Sequence, residues 1–170
     1  LEELLIKASH NRHTTIFGCN VSNPQNYGVI YFDKNNEIKK FVEKPITPES
    51  NIVMTGLYFL DQYAVDFSKK LKPSKRGELE ITDLIQNYLI SKKLNFLSLH
   101  TGMTWFDAGT HDALIEASMF IQAIQKRQGV LIGSPEMTSF LNGWISSNKL
   151  KKIAKLYGKN DYGYFLSRLC

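Results

Sequence analysis

Asp107 stands in Thr104-Trp105-Phe106-Asp107-Ala108-Gly109-Thr110-His111, directly ahead of an amphipathic stretch. A carboxylate at a strand end, beside a Gly-Thr turn that opens a helix, can hold Mg²⁺ against phosphates while the helix N-terminal amides face the same crevice. Taken alone, such an Asp is more commonly a solvated residue of an N-cap turn. Two other segments bear on the choice. In Tyr27-Gly28…Val42-Glu43-Lys44-Pro45, a glycine at a strand start either lets a ligand approach the backbone or marks a bulge. The proline-stiffened loop after it sets an acid beside a base. One would accept hydroxyl hydrogen bonds and the other hold a phosphate, or the two form an exposed ion pair of little value. In Arg76-Gly77-Glu78-Leu79-Glu80-Ile81-Thr82-Asp83, a guanidinium suited to a bidentate grip on phosphate sits in a loop before a helix. The alternative for Arg76 is a surface pair with Glu78 or Glu80.

Other chemistries find less support. There is no Gly-x-Ser-x-Gly, and Cys19 lies in an apolar run without an obvious base. A zinc site needs closely spaced Cys and His, whereas His10, His13, His100 and His111 are scattered. Only His111, in the first turn of a helix, is suggestively placed.

At 170 residues the chain can bury the core of one domain, and its 43% hydrophobic and 22% charged composition is that of an ordinary globular protein. No apolar run approaches the roughly 20 residues of a membrane span. The two cysteines, Cys19 and Cys170, form no framework, which points to a reduced, cytoplasmic setting. A net charge of +5 suits an anionic partner. The basic residues are dispersed, however. The one cluster, Lys149, Lys151, Lys152 and Lys155, reads as the solvated face of a helix, so no nucleic-acid partner is expected. The chain opens at Leu1 with a helix already in progress, as a fragment beginning mid-fold would.

Elements that would position these residues follow from periodicity. Residues 13–21 read as a buried strand. A hairpin spans Tyr27 to Phe32 and Glu37 to Val42, turning on Asp33-Lys34-Asn35-Asn36. Val53 to Leu60 is a further strand. Asp61 then caps a helix in which Val65, Phe67 and Leu71 pack. A helix from about Thr82 to Lys92 buries Leu84, Ile85, Tyr88 and Leu89. Leu94 to His100 and Met103 to Phe106 read as strands. Thr110 to Gln128 is a helix with Leu114, Ala117, Ile121 and Ile124 at helical spacing and Gly129 as C-cap. Helices follow around Pro135–Leu141, Ser147–Tyr157 and Asp161–Leu169. Leu150, Ile153, Leu156 and Tyr157 form a packing stripe there, and Tyr162, Tyr164 and Phe165 serve as core or subunit contact. The class is α/β with an inserted antiparallel hairpin.

In order, these segments resemble the sugar-1-phosphate nucleotidyltransferases, above all those that join glucose 1-phosphate to dTTP. The resemblance runs through Asn23-Pro24…Tyr27-Gly28-Val29, Glu43-Lys44-Pro45, Thr55-Gly56-Leu57-Tyr58, Arg76 to Asp83, Trp105-Phe106-Asp107…Gly109-Thr110-His111 and Arg127-Gln128-Gly129, covering essentially the whole chain. It implies a Rossmann-like mixed sheet with the nucleotide-binding part absent. Residues 1–128 would be the sugar-phosphate portion and residues 129–170 a helical assembly and regulatory segment. It implies Mg²⁺ as cofactor, with Asp107 the second of two metal-binding aspartates. Lys44 and Arg76 would hold the sugar phosphate and Glu43 the glucose hydroxyls. Tyr27, Gly28, Met54 and Gly56 would line the sugar pocket, with Tyr58 and Trp105 as aromatic supports. The products would be dTDP-glucose and pyrophosphate, at the head of dTDP-rhamnose formation, and the assembly a homotetramer.

The family's Gly-rich nucleotide loop, its catalytic Lys and its first metal Asp fall upstream of Leu1, so no catalytic residue lies within the chain and the chain alone is expected to be inactive. Met54 replaces the usual Val. Met137 and Leu141 stand where the family's regulatory segment often carries Glu and Arg. Another sugar phosphate, UTP or CTP as nucleotide, or a non-catalytic sugar-phosphate binder, are the alternatives.

Overall fold

Residues Thr14–Asn20, of which Thr14 to Cys19 are buried without alternation, suit a strand covered on each side. They form β1, inside a five-stranded sheet in the computed structural model, which describes residues 1–170. The other strands are β2 (Gly28–Phe32), β3 (Ile38–Glu43), β4 (Ile52–Phe59) and β5 (Leu94–Ser98), in the order β3-β2-β4-β1-β5. β1 runs antiparallel to β4 and parallel to β5, while β2 pairs antiparallel with β3 and β4. The sheet is therefore mixed, as expected. A short 3₁₀ turn, Pro24–Asn26, leads into β2.

Period-2 alternation divides the core. Ile16, Ile30 and Met54 face one side, where α3 (Ile81–Ile90) buries Leu84, Ile85 and Tyr88. Phe17 and Leu97 face the other, under Leu4 and Ala8 of α1 (Glu2–Ser9). Cys19, Val29, Tyr31 and Val53 form a third cluster, with Tyr27 and Trp105 packed at its margin. Gln86 of α3 reaches the edge strand, its Oε1 accepting from Phe41 N at 3.2 Å.

Three local expectations change. The helix after Asp61 is only α2 (Ala64–Ser68); Asp61 Oδ1 accepts from Tyr63 N and from the hydroxyl of fully buried Tyr88. Phe67 and Leu71 pack on the core, but Val65, two residues before Phe67 and so on the opposite side of the helix, is exposed. Met103–Phe106 forms no strand. Met103 N closes a turn onto His100 O, and Trp105 Nε1 donates to Thr55 O at 2.9 Å, so side chains rather than a ladder hold this segment.

Leu1–Trp105 is one compact unit and Phe106–Cys170 a second. In the second, α4 (His111–Gln128) is capped by Thr110, whose hydroxyl accepts from Ala113 N, and ends at left-handed Gly129. Of its expected stripe only Ala117 is buried; Leu114 and Ile121 stay exposed. α5 (Pro135–Leu141), α6 (Ser147–Leu156) and α7 (Asp161–Arg168) are capped by Ser134, Ser146 and Asn160. They enclose Leu150, Ala154 and Leu166, with Ile153 and Tyr162 alongside. Leu156 is 85% exposed because it projects from the face of α6 opposite Leu150 and Ala154, and Tyr157, the C-cap, is 41% exposed, so the stripe is Leu150, Ile153 and Ala154. The four clustered lysines are solvated. Both cysteines are free.

Candidate functional site

The β2–β3 register sets Gly28 directly opposite Glu43. A Cβ at Gly28 would lie 2.9 Å from both Met54 Cε and Thr82 Cγ2, and 3.1 Å from Glu43 Oε2. The methionine tip can yield, but the short, buried, β-branched Thr82 cannot. Glycine is therefore required by the close approach of the protein's own side chains, which bring β2, β3, β4 and the start of α3 to one point. Glu43, the last residue of β3, has a side chain 19% exposed. Burial, then the neighbouring Glu80, push its carboxyl above the ordinary Glu range, while Lys44, Arg76 and a hydrogen bond from Thr82 pull it back.

Lys44 follows with φ 44°, a left-handed conformation that an L side chain pays for with local strain, and its N–H donates to Tyr27 O at 3.0 Å. The bend leaves the ammonium exposed next to Glu43.

Arg76 rides a turn organised by Ser74. Ser74 N donates to Glu78 O, Ser74 O accepts from Gly77 N, and Ser74 Oγ accepts from Arg76 N. The guanidinium reaches three carboxylates: Glu78 at 3.1 Å, Glu80 at 3.3 Å and Glu43 at 4.0 Å. Both surface pairings anticipated for Arg76 thus exist, together with a third that points into a cavity of about 300 Å³. Phe41, Glu43, Ser74, Arg76, Glu80 and Thr82 are among its lining residues. A hydrogen-bond acceptor and a cation set about 4 Å apart can engage a hydroxyl and an anionic group of one small ligand.

The remaining candidates sort as follows. Met54 is buried behind Gly28. The hydroxyl of Tyr58 is pushed up to about 12 by burial and by the charge of Glu43, and so stays protonated. Tyr27 and Trp105 meet edge to face, centroids 5.1 Å apart, and Trp105 anchors to the Thr55 carbonyl next to Gly56. Gly56 is exposed with φ 77°. The first unit thereby gathers Gly28, Glu43, Met54, Arg76 and Thr82. Asp107 belongs to the second unit, exposed ahead of α4, with its carboxylate curled toward Gly109.

Sequence reasoning offered Glu80 only as a surface partner of Arg76 and gave no role to Thr82 or Ser74. A Glu in an exposed-looking acidic run carries no mark of burial, although a Ser six residues ahead of a Glu across a Gly turn was available as a signal.

A larger cavity, about 510 Å³, lies in the second unit between the end of α4 and α7. Its cations Lys126 and Arg168 stand in the last turns of their helices, where the macrodipole favours positive charge without any ligand. For a metal, Asp107 offers one exposed carboxylate, and no group of three or more His, Cys, Asp or Glu is arranged as a cage. One carboxylate completed by phosphate oxygens and water suits Mg²⁺.

Comparison with known proteins supplies the frame for this geometry. Residues 1–124 match the family described as nucleotidyl transferase. A glucose-1-phosphate thymidylyltransferase of Neisseria meningitidis is 43% identical over 162 residues, 95% of this chain and 56% of the relative. One from Xanthomonas campestris is 46% identical over 155 residues, 91% of this chain and 52% of the relative. A Bacillus anthracis crystal structure assigned as a glucose-1-phosphate thymidylyltransferase, in complex with a sucrose, aligns at TM-score 0.61 and 33% identity over 69% of this chain and 47% of its own. The chain spans just over half the length of the first two relatives. A match to most of the chain, a mixed sheet shared with a solved relative and a register that packs Gly28 against Glu43 all agree: the chain belongs to the nucleotidyl transferase family.

Proposed function

We propose that this chain forms the sugar-phosphate-binding part of a glucose-1-phosphate thymidylyltransferase, the intact protein converting dTTP and glucose 1-phosphate to dTDP-glucose and pyrophosphate. The observation that carries the reading is Arg76 within 4.0 Å of the half-buried Glu43 on one cavity wall. Glu43 accepts hydrogen bonds from the sugar hydroxyls; Arg76 and Lys44 hold the phosphate. Gly28 and Met54, packed behind Glu43, and Tyr58 and Trp105 lie outside that cavity's lining and would support the sugar side by family resemblance. Positioning of two anions for in-line displacement is the main demand of such a transfer, so rigid elements matter more than a protein nucleophile. Asp107 would hold Mg²⁺, which when bound offsets phosphate charge. Leu141, Trp144 and Leu156, exposed at 69%, 73% and 85%, support association into an oligomer, a tetramer by family resemblance.

One observation favours a second reading. Glu78 and Glu80 already engage Arg76, as a purely structural ion pair would require. Release of pyrophosphate from dTTP and glucose 1-phosphate separates the two. The protein at full family length turns over and loses at least about tenfold in kcat/KM on Arg76→Ala, while the 170-residue chain by itself is silent. Turnover unaffected by Arg76→Ala would leave Arg76 as a structural pair.

A further inference from the structure

Glu80 is the one member of the Arg76 cluster that is nearly buried, 8% exposed, against a Glu78 side chain 61% exposed. It is the N-cap residue of α3, yet its side chain makes no capping bond to the helix. Instead Glu80 Oε1 accepts from Ser74 Oγ at 2.8 Å and from Arg76 Nη1 at 3.3 Å. Ser74 Oγ in turn accepts from the backbone N–H of Arg76 at 3.1 Å. Ser74 and Glu80 therefore hold Arg76 at both ends, the main chain through the hydroxyl and the guanidinium through the carboxylate. The same nitrogen, Nη1, that meets Glu80 also faces Glu43. A long arginine left to itself samples many rotamers, and fixing it beforehand removes that cost from ligand binding.

We propose that Glu80, acting with Ser74, is the positioning residue that aims Arg76 at the phosphate of the bound sugar phosphate. This rests on the function proposed above. Glu78, although closer to the guanidinium, is solvated on both sides and contributes little to the aim.

The direction of one effect separates aiming from mere charge. Glu80 is an anion beside a site meant for an anion. If it only competes for Arg76, removing its charge tightens phosphate binding; if it aims Arg76, removing it weakens binding. Affinity of the 170-residue chain for glucose 1-phosphate is measured by calorimetry, and rotation of the Arg76 guanidinium by ¹⁵N NMR, for Glu80→Gln, Ser74→Ala and Glu78→Gln. Ser74→Ala alters no charge, so it moves affinity only through position. The expected result is about tenfold weaker binding for Glu80→Gln and several-fold for Ser74→Ala, each with faster guanidinium rotation, and little change for Glu78→Gln. Circular dichroism distinguishes loss of aim from loss of fold in Glu80→Gln; Ser74→Ala, which leaves the buried carboxylate in place, carries the test if that variant unfolds. Unchanged or tighter binding in both variants, with Arg76 still restricted, overturns the inference alone. An unaltered chain that takes up no glucose 1-phosphate defeats the proposed function and the inference with it.

Discussion

Glu43 shows why the site costs the protein stability. Its carboxyl is raised by burial and by Glu80 more than Lys44, Arg76 and Thr82 lower it. The folded chain thus holds the Glu43 proton more tightly than the unfolded chain, whose carboxyl titrates near the ordinary value of 4.5. Stability from this group is fully present below that value and is lost as pH rises through the raised one. At neutral pH the ionised Glu43 is therefore a net burden, one that the proposed function accounts for because an anion is the better acceptor for sugar hydroxyls. Glu43→Gln is expected to raise the melting temperature at pH 7 while weakening glucose 1-phosphate uptake about tenfold or more. Thermal scans and calorimetry check both at once, and a variant that melts lower would show the carboxylate to be stabilising. Uptake by the unaltered chain should also decline with acid at a pH above 4.5, as the raised carboxyl takes up its proton.

Among the elements, α5, α6 and α7 are joined by a polar knot. Glu136 accepts from Tyr157 and Tyr162 through its two oxygens. Because the Tyr162 proton is spent on Glu136, Ser134 Oγ must donate to Tyr162, at 2.7 Å, while accepting from Met137 N to cap α5. The two tyrosine hydrogen bonds, that from Tyr157 foremost, hold the Glu136 carboxyl below its ordinary range, the opposite sense to Glu43. Its stabilisation is complete above the ordinary Glu value and disappears as pH falls through the lowered one. Glu136→Gln should cost about 1 kcal/mol in urea unfolding at pH 7 and nothing in strong acid; an equal cost at both would rule out a charge-dependent knot. The sequence announced the elements better than such ties. A continuous β-branched and apolar run marked β1, the Asp33–Asn36 turn marked the hairpin, and Thr110 and Gly129 marked the ends of α4. The failures have two causes: Val65 and Leu156 sit on helix faces turned away from Phe67 and from Leu150 and Ala154, and the Met103–Phe106 segment was decided by a partner far along the chain, as Trp105 finds Thr55. Likewise Gly28, Glu43 and Arg76 could be named from residue type and order. The burial of Glu80, and its reach back to Ser74, follow only from tertiary packing.

For the molecule as a whole, the sheet-bearing unit carries every residue proposed above to contact the sugar phosphate, while Asp107 and α4 to α7 belong to the second unit. The first unit has what a ligand needs at both ends, an acceptor at Glu43 and a guanidinium at Arg76. Binding of the sugar phosphate should therefore survive in this chain without any nucleotide. Calorimetric titration of the 170-residue chain with glucose 1-phosphate, with glucose, and again after Arg76→Ala, asks that question directly. The expected result is uptake of glucose 1-phosphate in preference to glucose, with the preference lost on Arg76→Ala. Equal heats for the two ligands, or a preference that Arg76→Ala leaves intact, would contradict it.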